Sequence, residues 1–365
     1  SSPTSMTAKC GVVELVALKS CTWSATSTRI SLAICFPSII FAVTMTPLRQ
    51  VSMNIHPNYN TPVVILDWTE ITLSRLSDAL KSQEFVVTAE LNPPKGTDLA
   101  MLYRHADALR GMATAFNVTD SAGANMMMAP IAAARKLLDR EIEPIMQITG
   151  RDRNRIALGA ELLAAEALGI PNVLCMSGDP PGRGDHPDAK GVFDLKAETL
   201  LESVKAMNSG EDMYGNELSG STSLFAGAVA NPGSDDVENE LRRMEEKVSR
   251  GAQFFQTQAI YDAADFQKFM ETARSFGVPV LAGMIVLKSA RMANFLNDKL
   301  PGVSVPQGII DEMDSSEDRA TAGIEITARL IREVKDMCDG THIMAIGWES
   351  KIPLIVERAG LANSE

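Results

Sequence analysis

The sequence contains few cysteines and few histidines. Five of its 365 residues are cysteine and four are histidine. Cys10, Cys21 and Cys35 lie within the first 52 residues, which leaves only Cys175 and Cys338 for the rest of the chain. Two scattered cysteines cannot form a disulfide framework, and the histidines lack the spacing of metal ligands. We therefore expect a protein of a reducing compartment, the cytoplasm, without a metal site.

Basic residues and long apolar runs are also scarce. The 34 Lys and Arg residues are outnumbered by 46 Asp and Glu residues, which gives a formal net charge of −12. This charge argues against nucleic acid or an anionic membrane as the main partner. An apolar run at residues 31–43 is interrupted by Pro37 and is short for a membrane span. No Gly-x-Gly-x-x-Gly follows the first predicted strand, which disfavours a Rossmann fold.

Residues 1–52 differ from the remainder in composition. They are rich in Ser and Thr, and Glu14 is their only acidic residue. Three interpretations fit: a signal segment, an organellar transit segment, or an upstream stretch outside the native coding sequence with the true start at Met45 or Met53. We favour the third and expect the segment to be poorly ordered. Residues 53–365 are then assigned to a single catalytic domain.

From Phe85 onward, short apolar runs alternate with amphipathic helical patterns. Strands are predicted at 85–91, 114–119, 143–149, 172–177, 223–230, 253–258, 279–285 and 342–347. Helices are predicted near 98–112, 129–140, 151–168, 196–207, 235–250, 263–276, 289–299 and 316–338. Apolar strands that are each followed by a helix predict parallel pairing, and eight such units predict a closed (β/α)8 TIM barrel. A further helix near 68–81 is expected to close the N-terminal end of this barrel.

In such a barrel the functional side chains lie at the C-terminal ends of the strands. Polar residues occur at nearly all of these ends: Glu90, Thr119, Asp120, Ser121, Gln147, Thr149, Gly178, Asp179, Asn231, Gln258, Lys288, Gly347 and Trp348. Each position alone is weak evidence, because loops are polar in any case. Their convergence predicts one shared site.

The first predicted strand ends in a carboxylate. Glu90 follows a run of apolar residues and precedes Pro93 and Pro94. Partial desolvation should raise its pKa and keep it available as an acid near neutral pH. The alternative is a glutamate that simply reaches solvent where its strand ends.

Asp179 and Gln258 are the next candidates. Asp179 lies between Gly178 and Pro180, where backbone N–H groups would favour its ionised form, although Asp-Pro also starts ordinary turns. Gln258 ends a strand with an amide that can donate and accept, which suits the edge of a pterin or flavin ring. A capping glutamine is the alternative.

Two further features leave their interpretation open. Lys247 and Arg243 lie on one predicted helix and could pair with a diphosphate, but Glu245 and Glu246 beside them equally predict a solvated charged face. The small polar loop 119–125 would let a ligand approach the backbone, or is a plain turn.

Several of these segments resemble the methylenetetrahydrofolate reductases, flavin-dependent (β/α)8 barrels of one-carbon metabolism. The resemblance covers roughly residues 70–361. It rests on Glu90-x-x-Pro-Pro, Val118-Thr119 with Gly123-Ala124, Ser177-Gly178-Asp179-x-Pro, and Glu246-Lys247-Val248-x-x-Gly251-Ala252-x-Phe254-x-x-Thr257-Gln258. The last segment is long and specific.

The resemblance implies reduction of 5,10-methylenetetrahydrofolate to 5-methyltetrahydrofolate by NADH or NADPH through bound FAD. The residue matching Glu90 would be the general acid that opens the folate ring, and Asp179 would tune both flavin and pterin. Folate-binding positions would be Gln258, Asp179, Met292 and Leu296. Flavin-contacting positions would be Thr119, Gln147, Met176, Ser177, Gly178, Asp179, Asn231 and Lys247.

Some positions depart from the family pattern. Family members commonly have a histidine at Gln147 and an arginine at Ser177, and Met292 and Leu296 replace a glutamine and a phenylalanine. Segment 228–232 lacks an aromatic residue and a histidine that help to hold the flavin. These departures concern FAD and the choice of nicotinamide, so a member that reduces folate without flavin is an alternative.

Two other functions remain open: a folate-dependent methyl-transfer protein without redox chemistry, and a partner-dependent subunit without catalysis. The sequence leaves open whether the chain forms a homo-oligomer.

Overall fold

The computed structural model describes residues 74–361 and, before them, the backbone of five strands. The chain divides into two units, Ser1–Thr72 and Leu73–Glu365. In the first unit, β1 (Cys21–Thr26), β2 (Arg29–Phe36) and β3 (Ile39–Met45) form one antiparallel sheet, and β4 (Gln50–Ile55) pairs with β5 (Val64–Thr69). Part of residues 1–52 lies outside the described residues, and both the disorder predicted for this segment and the boundary at residue 53 stay predictions.

The second unit is built on a closed barrel of eight parallel strands, which confirms the predicted (β/α)8 fold. Its strands are β6 (Val86–Leu91), β7 (Ala115–Val118), β8 (Pro144–Thr149), β9 (Asn172–Met176), β10 (Phe225–Ala230), β11 (Phe254–Ala259), β12 (Val280–Ile285) and β13 (Gly340–Met344). Barrel closure pairs β13 with β6, with Ile343 opposite Ala89. All strand ends that carry candidate residues therefore meet at one mouth.

Helices cover the outside of the barrel. They are α1 (Arg75–Lys81), α2 (Ala100–Ala108), α3 (Pro130–Leu138), α4 (Arg155–Ala167), α5 (Ala197–Asn208), α6 (Val237–Ser249), α7 (Ala263–Ala273), α8 (Ala290–Lys299), α9 (Gln307–Ser315), α10 (Arg319–Val334) and α11 (Ile352–Arg358). Short 3₁₀ turns lie at Ala122–Ala124, Pro181–Arg183, Arg274–Phe276, Lys335–Met337 and Glu349–Lys351. None of the described helices is long and apolar enough to cross a membrane.

Two helices and one strand boundary differ from the sequence-based prediction. Helices α9 and α11 were not predicted, because each shows only a short apolar face, with Ile310 and Met313 buried in α9. The last strand begins at Gly340, two residues earlier than expected. A glycine usually weakens a strand, but a Cβ at Gly340 would lie 2.4 Å from the Val86 carbonyl oxygen, so the close approach to β6 requires it.

Helix α1 closes the N-terminal end of the barrel, as predicted, although it begins at Arg75 and Thr69 belongs to β5. Its Leu76 and Leu80 pack onto a layer of buried side chains inside the barrel: Val86, Ala115, Ile145, Leu174, Phe254 and Leu281. Apolar side chains therefore fill the interior of the barrel at this end.

A buried carboxylate fixes the start of α1. Glu143 precedes β8, and its carboxylate accepts hydrogen bonds from the backbone N–H groups of Arg75 (2.8 Å) and Leu76 (3.0 Å) and from the Ser74 hydroxyl (2.9 Å). Ser74 is the N-cap and accepts from the Ser77 N–H. The negative charge also lies at the positive end of the helix dipole, where it is stabilising.

Replacing Ser74 with Ala is expected to lower the free energy of unfolding by about 1–2 kcal/mol, because the cap of α1 is lost and Glu143 loses one donor. Urea denaturation followed by circular dichroism measures the change. Ser82→Ala, at an exposed position just after the same helix, is the matched control, and equal stability of both variants would contradict the role of the cap.

Candidate functional site

A cavity of about 400 Å³ lies at the C-terminal mouth of the barrel. Its wall is formed by strand-end residues from five strands, Glu90, Gln147, Met176, Gln258 and Met344, and by the loops that follow β7 and β9. The structure thus brings together eight of the predicted polar positions: Glu90, Asp120, Ser121, Gln147, Thr149, Gly178, Asp179 and Gln258.

Glu90 has the properties expected of an acid. Burial, followed by the like charge of Glu349, raises the pKa of its carboxyl from 4.5 to about 7. A carboxyl of this kind carries a proton near neutral pH and can still release it.

Three polar side chains reach the cavity without a protein partner. Within residues 74–361, no hydrogen bond joins the side chains of Glu90, Gln147 or Gln258 to another group, and all three line the cavity. These amide and carboxyl groups can form hydrogen bonds with a heterocycle that carries donors and acceptors along its edge. Met176 and Met344 add apolar surface beside them.

Asp179 sits at the rim of the cavity beside two arginines. Gly178 before it adopts φ +87°, a left-handed conformation that favours glycine. Arg183 Nη1 donates to Asp179 Oδ1 at 3.3 Å. On the other side, a Cβ at Gly178 would lie 3.0 Å from the Cβ of Arg151, so Asp179 follows a residue in close contact with this second arginine.

Arg151 is a functional candidate that the sequence did not indicate. It is 2% exposed, lines the cavity, and donates to both carboxylate oxygens of Asp152 and to the carbonyl oxygens of Asp120 and Ser121. The hydrogen bond with Asp152, then the charges of Asp120 and Asp179, raise its pKa, while burial lowers it. Its place just after β8 could have been noticed as a further polar strand end.

The floor of the cavity is a polar layer inside the barrel. The amides of Asn117 and Gln256 bond reciprocally (2.6 and 2.9 Å), and Gln256 Nε2 also donates to the Thr88 hydroxyl. That hydroxyl lies 3.0 Å from His342 Nδ1. Burial lowers the pKa of His342 to about 3, so its ring is neutral. Alternation along a strand could have revealed Thr88 and Gln256, which lie two residues before Glu90 and Gln258 and share their face.

Two of the three cations of α6, Arg243 and Lys247, lie at one side of the cavity. Lys247 is 2% exposed, and its Nζ donates to the Val229 carbonyl (2.7 Å) and lies 3.9 Å from Glu240. Burial lowers its pKa. Arg243 is half exposed and pairs with Glu198 and Glu240. The solvated-face alternative therefore does not describe Lys247, which is buried, whereas Arg243 is exposed and also borders the cavity.

Seven of the predicted positions lie outside the cavity lining: Thr119, Asn231, Lys288, Met292, Leu296, Gly347 and Trp348. Thr119 is buried and donates its hydroxyl proton to Asn92 Oδ1 at 2.9 Å. Asn231 packs against the loop at Gly302, where a Cβ would meet its amide at 1.9 Å. On α8, Met292 is partly buried against the core, and Leu296 is 5% exposed within it.

The described residues contain no group of three or more His, Cys, Asp and Glu side chains arranged to hold a metal ion. A larger cavity of about 770 Å³ lies at the N-terminal end, between α1 and the starts of β10 to β13. None of the candidate residues borders it.

Glu90→Gln is expected to make the protein more stable than the wild type at pH 8. The folded carboxyl keeps its proton between pH 4.5 and about 7, where the unfolded chain has lost it. The free energy of unfolding therefore falls as pH rises through this window, by up to about 3 kcal/mol. Thermal unfolding at pH 5 and pH 8 measures the difference between the variants. A difference that does not grow with pH would contradict the buried, protonated state.

Comparison with known proteins identifies relatives of this chain. A family model described as methylenetetrahydrofolate reductase matches residues 75–360. Methylenetetrahydrofolate reductase 1 of Schizosaccharomyces pombe is 24% identical over 286 residues, which cover 75% of this chain and 46% of the relative. Methylenetetrahydrofolate reductase (NADH) 1 of Zea mays is 22% identical, covering 72% and 46%. The chain thus spans about half the length of these curated relatives.

A third relative is the probable methylenetetrahydrofolate reductase (NADPH) of Caenorhabditis elegans, 23% identical over 68% of this chain and 37% of its own length. Among solved structures, an uncharacterised protein from Clostridium thermocellum that binds two copies of 5-methyl-5,6,7,8-tetrahydrofolic acid has a TM-score of 0.56. It is 16% identical and matches 79% of this chain and 100% of its own. This likeness shows a shared fold.

Proposed function

The chain belongs to the methylenetetrahydrofolate reductase family, and we propose that it reduces 5,10-methylenetetrahydrofolate to 5-methyltetrahydrofolate with hydride that originates from NADH or NADPH. The observation that carries the proposal is Glu90, a carboxyl with a pKa of about 7. It lies in a cavity that also presents the amides of Gln147 and Gln258, which have no hydrogen-bond partner among residues 74–361. Relatives named for NADH and for NADPH support a nicotinamide donor without deciding between them.

Glu90 supplies the proton that the reaction needs. Opening the five-membered ring of the substrate breaks a C–N bond, and the departing N10 nitrogen must take up a proton. Protonated Glu90 donates it, and the methylene carbon becomes an N5 iminium. Hydride addition to that carbon then gives the methyl group, so one proton and one hydride are consumed in each turnover.

Asp179 and Gln258 position and stabilise the substrate. The iminium carries a positive charge, which the Asp179 carboxylate at the rim offsets. Arg183 pairs with this carboxylate, and Arg151 lies nearby. Gln258 offers one donor and one acceptor to the edge of the pterin ring.

The residues of the cavity also fit the ring system of FAD. Gln147 presents a buried amide that has no hydrogen-bond partner among residues 74–361, Met176 offers an apolar contact, and Gly178 leaves room for the backbone to approach. Arg243, which is more exposed than Lys247, would hold the phosphates. Lys247 would add a second positive charge at the same side of the cavity. When bound, FAD supplies a two-electron carrier between the nicotinamide and the folate.

The proposal is tested on the purified chain supplied with FAD under anaerobic conditions. NADH or NADPH should bleach the flavin absorbance, and methylenetetrahydrofolate should restore it. A protein that never bleaches but still consumes NAD(P)H with folate would indicate direct reduction without flavin. A protein that consumes no NAD(P)H would contradict a reductase and favour methyl transfer.

A further inference from the structure

Asp120 is a buried carboxylate in the cavity wall that neither the acid step nor the substrate contacts use. It follows β7, is 6% exposed and lines the cavity. Its Oδ2 accepts hydrogen bonds from the backbone N–H (2.8 Å) and the hydroxyl (2.9 Å) of Thr149 and from Arg153 Nη2. Its Oδ1 accepts no hydrogen bond within residues 74–361 and keeps accessible surface. One oxygen is therefore fully used, and the other can accept a hydrogen bond from a ligand.

Two arginines that follow β8 hold Asp120 in place. Arg153 bridges Asp120 and Glu161, so its guanidinium is fixed on both sides. Arg151 donates to the carbonyl oxygens of Asp120 (3.4 Å) and Ser121 (3.2 Å). The side chain and the backbone of Asp120 are thus both bound to the segment after β8. A ligand would meet an acceptor whose position is set before binding, which lowers the entropy cost of the contact.

The turn after Asp120 has an unusual backbone. Ser121 (φ +49°) and Ala124 (φ +60°) are both left-handed, although neither is glycine. Residues of this kind persist where their surroundings fix them, and they are common at ligand sites. A Cβ at Gly184 would lie 1.8 Å from the Ala124 carbonyl oxygen, so the loop after β9 packs tightly against this turn. The turn is therefore a fixed part of the cavity wall.

The place of Asp120 in the cavity indicates which molecule supplies the donor. Thr149, which holds Oδ2, is in close contact with Gly178, where a Cβ would lie 3.0 Å from the Thr149 Cβ. Gly178 and Gln147, two residues before Thr149 on β8, are positions at which the flavin ring of FAD fits. A carboxylate oxygen can only accept and repels phosphate, so its partner is an N–H or O–H group. The diphosphate would lie elsewhere, at Arg243.

We propose that Asp120 is a cofactor-binding residue whose Oδ1 accepts a hydrogen bond from an N–H or O–H group of the flavin ring or its ribityl chain. Arg153 is the positioning residue that orients this carboxylate. The inference rests on the proposed function, because it takes FAD as the molecule bound beside Gln147 and Gly178. Arg153 is not among the described residues that line the cavity, so its effect on FAD passes through Asp120.

The test uses Asp120→Asn, which turns an acceptor into a donor without changing the shape of the side chain. Three donors face the position of Oδ2, so the amide must place its oxygen there and its NH2 group in the cavity. FAD affinity of the full chain, measured by quenching of flavin fluorescence, should fall about 10- to 100-fold. Asp314→Asn, at an exposed position on α9, is the control and should bind FAD as the wild type does. Unchanged FAD affinity in Asp120→Asn would overturn the proposal.

Binding of 5-methyltetrahydrofolate to the same variants locates the donor. Its affinity, measured by isothermal titration calorimetry, should stay at the wild-type value in Asp120→Asn. Loss of folate affinity in place of FAD affinity would assign the donor to the folate and overturn the flavin contact. Loss of affinity for both molecules would show damage to the whole cavity and would equally overturn the proposal.

A second variant, Arg153→Lys, covers the case that Asp120→Asn does not fold. Lysine keeps the positive charge but cannot bridge Asp120 and Glu161 as the guanidinium does. With Asp120 less firmly oriented, FAD affinity should fall about 3- to 10-fold, while folate affinity stays unchanged. An FAD affinity equal to that of the wild type would overturn the proposal.

The binding data also separate this inference from the proposed reaction. If Asp120→Asn binds FAD more weakly than a wild type that forms no 5-methyltetrahydrofolate, the contact stands and the proposed function fails. If the wild type reduces the folate without binding FAD, the reductase stands and the contact is overturned.

Discussion

Glu90→Gln should lower methylenetetrahydrofolate reduction by about 10²- to 10⁴-fold, the usual contribution of a positioned general acid. The amide keeps the size of the side chain and its place at the end of β6 but has no proton to give to N10. Oxidation of NADH or NADPH by the FAD-loaded protein with an artificial electron acceptor should stay close to the wild-type rate, because that half-reaction requires no ring opening.

The matched control is Glu84→Gln, at an exposed position just before the same strand. It should leave both activities unchanged. Folate turnover retained in Glu90→Gln would remove the general acid from the mechanism and, with it, the main support for the assignment.

Asp179→Asn is expected to lower kcat/KM for the folate by roughly 10²-fold, in the range found when one electrostatic group of an active site is removed. The substitution removes the negative charge that offsets the iminium and leaves Arg151 and Arg183 facing a neutral amide. Because the charge matters most after the ring has opened, the loss should appear in kcat more than in KM.

Asp188→Asn is the control for this variant, since Asp188 is exposed in the same long loop after β9. Steady-state kinetics with varied folate separates kcat from KM. A variant with unchanged kcat and raised KM would show that Asp179 only binds the substrate.

The sequence predicted the barrel because its strands are apolar and each is followed by a helical pattern. All eight predicted strands overlap the observed ones, and Glu90 lies in the cavity as its position at a strand end indicated. The position of a strand-end residue such as Glu90 can be predicted from the local sequence pattern alone, since a parallel barrel always places its C-terminal strand ends together. The raised pKa of Glu90 followed in the same way from the apolar strand that precedes it.

Other features depend on contacts between distant segments. Asn117 and Gln256 are 139 positions apart in sequence, and only the closure of the barrel brings their amides together. Arg151 is buried through hydrogen bonds to the loop after β7, which composition does not reveal.

The positions inferred from resemblance alone show the limit of such reasoning. Met292 and Leu296 lie one turn apart on α8, and packing onto the barrel buries Leu296 within the core. A helix face is set by which side meets the barrel, so a ligand contact on α8 depends on helix rotation as well as on residue type. Their part in folate binding stays a prediction that substitution at Met292 can address.

The most direct test of the proposed reaction is to measure its product. The full chain, supplied with FAD, methylenetetrahydrofolate and NADH or NADPH, should form one 5-methyltetrahydrofolate, quantified by chromatography, for each nicotinamide oxidised. Nicotinamide that remains unoxidised, or that is oxidised without appearance of the methyl product, would contradict the assignment.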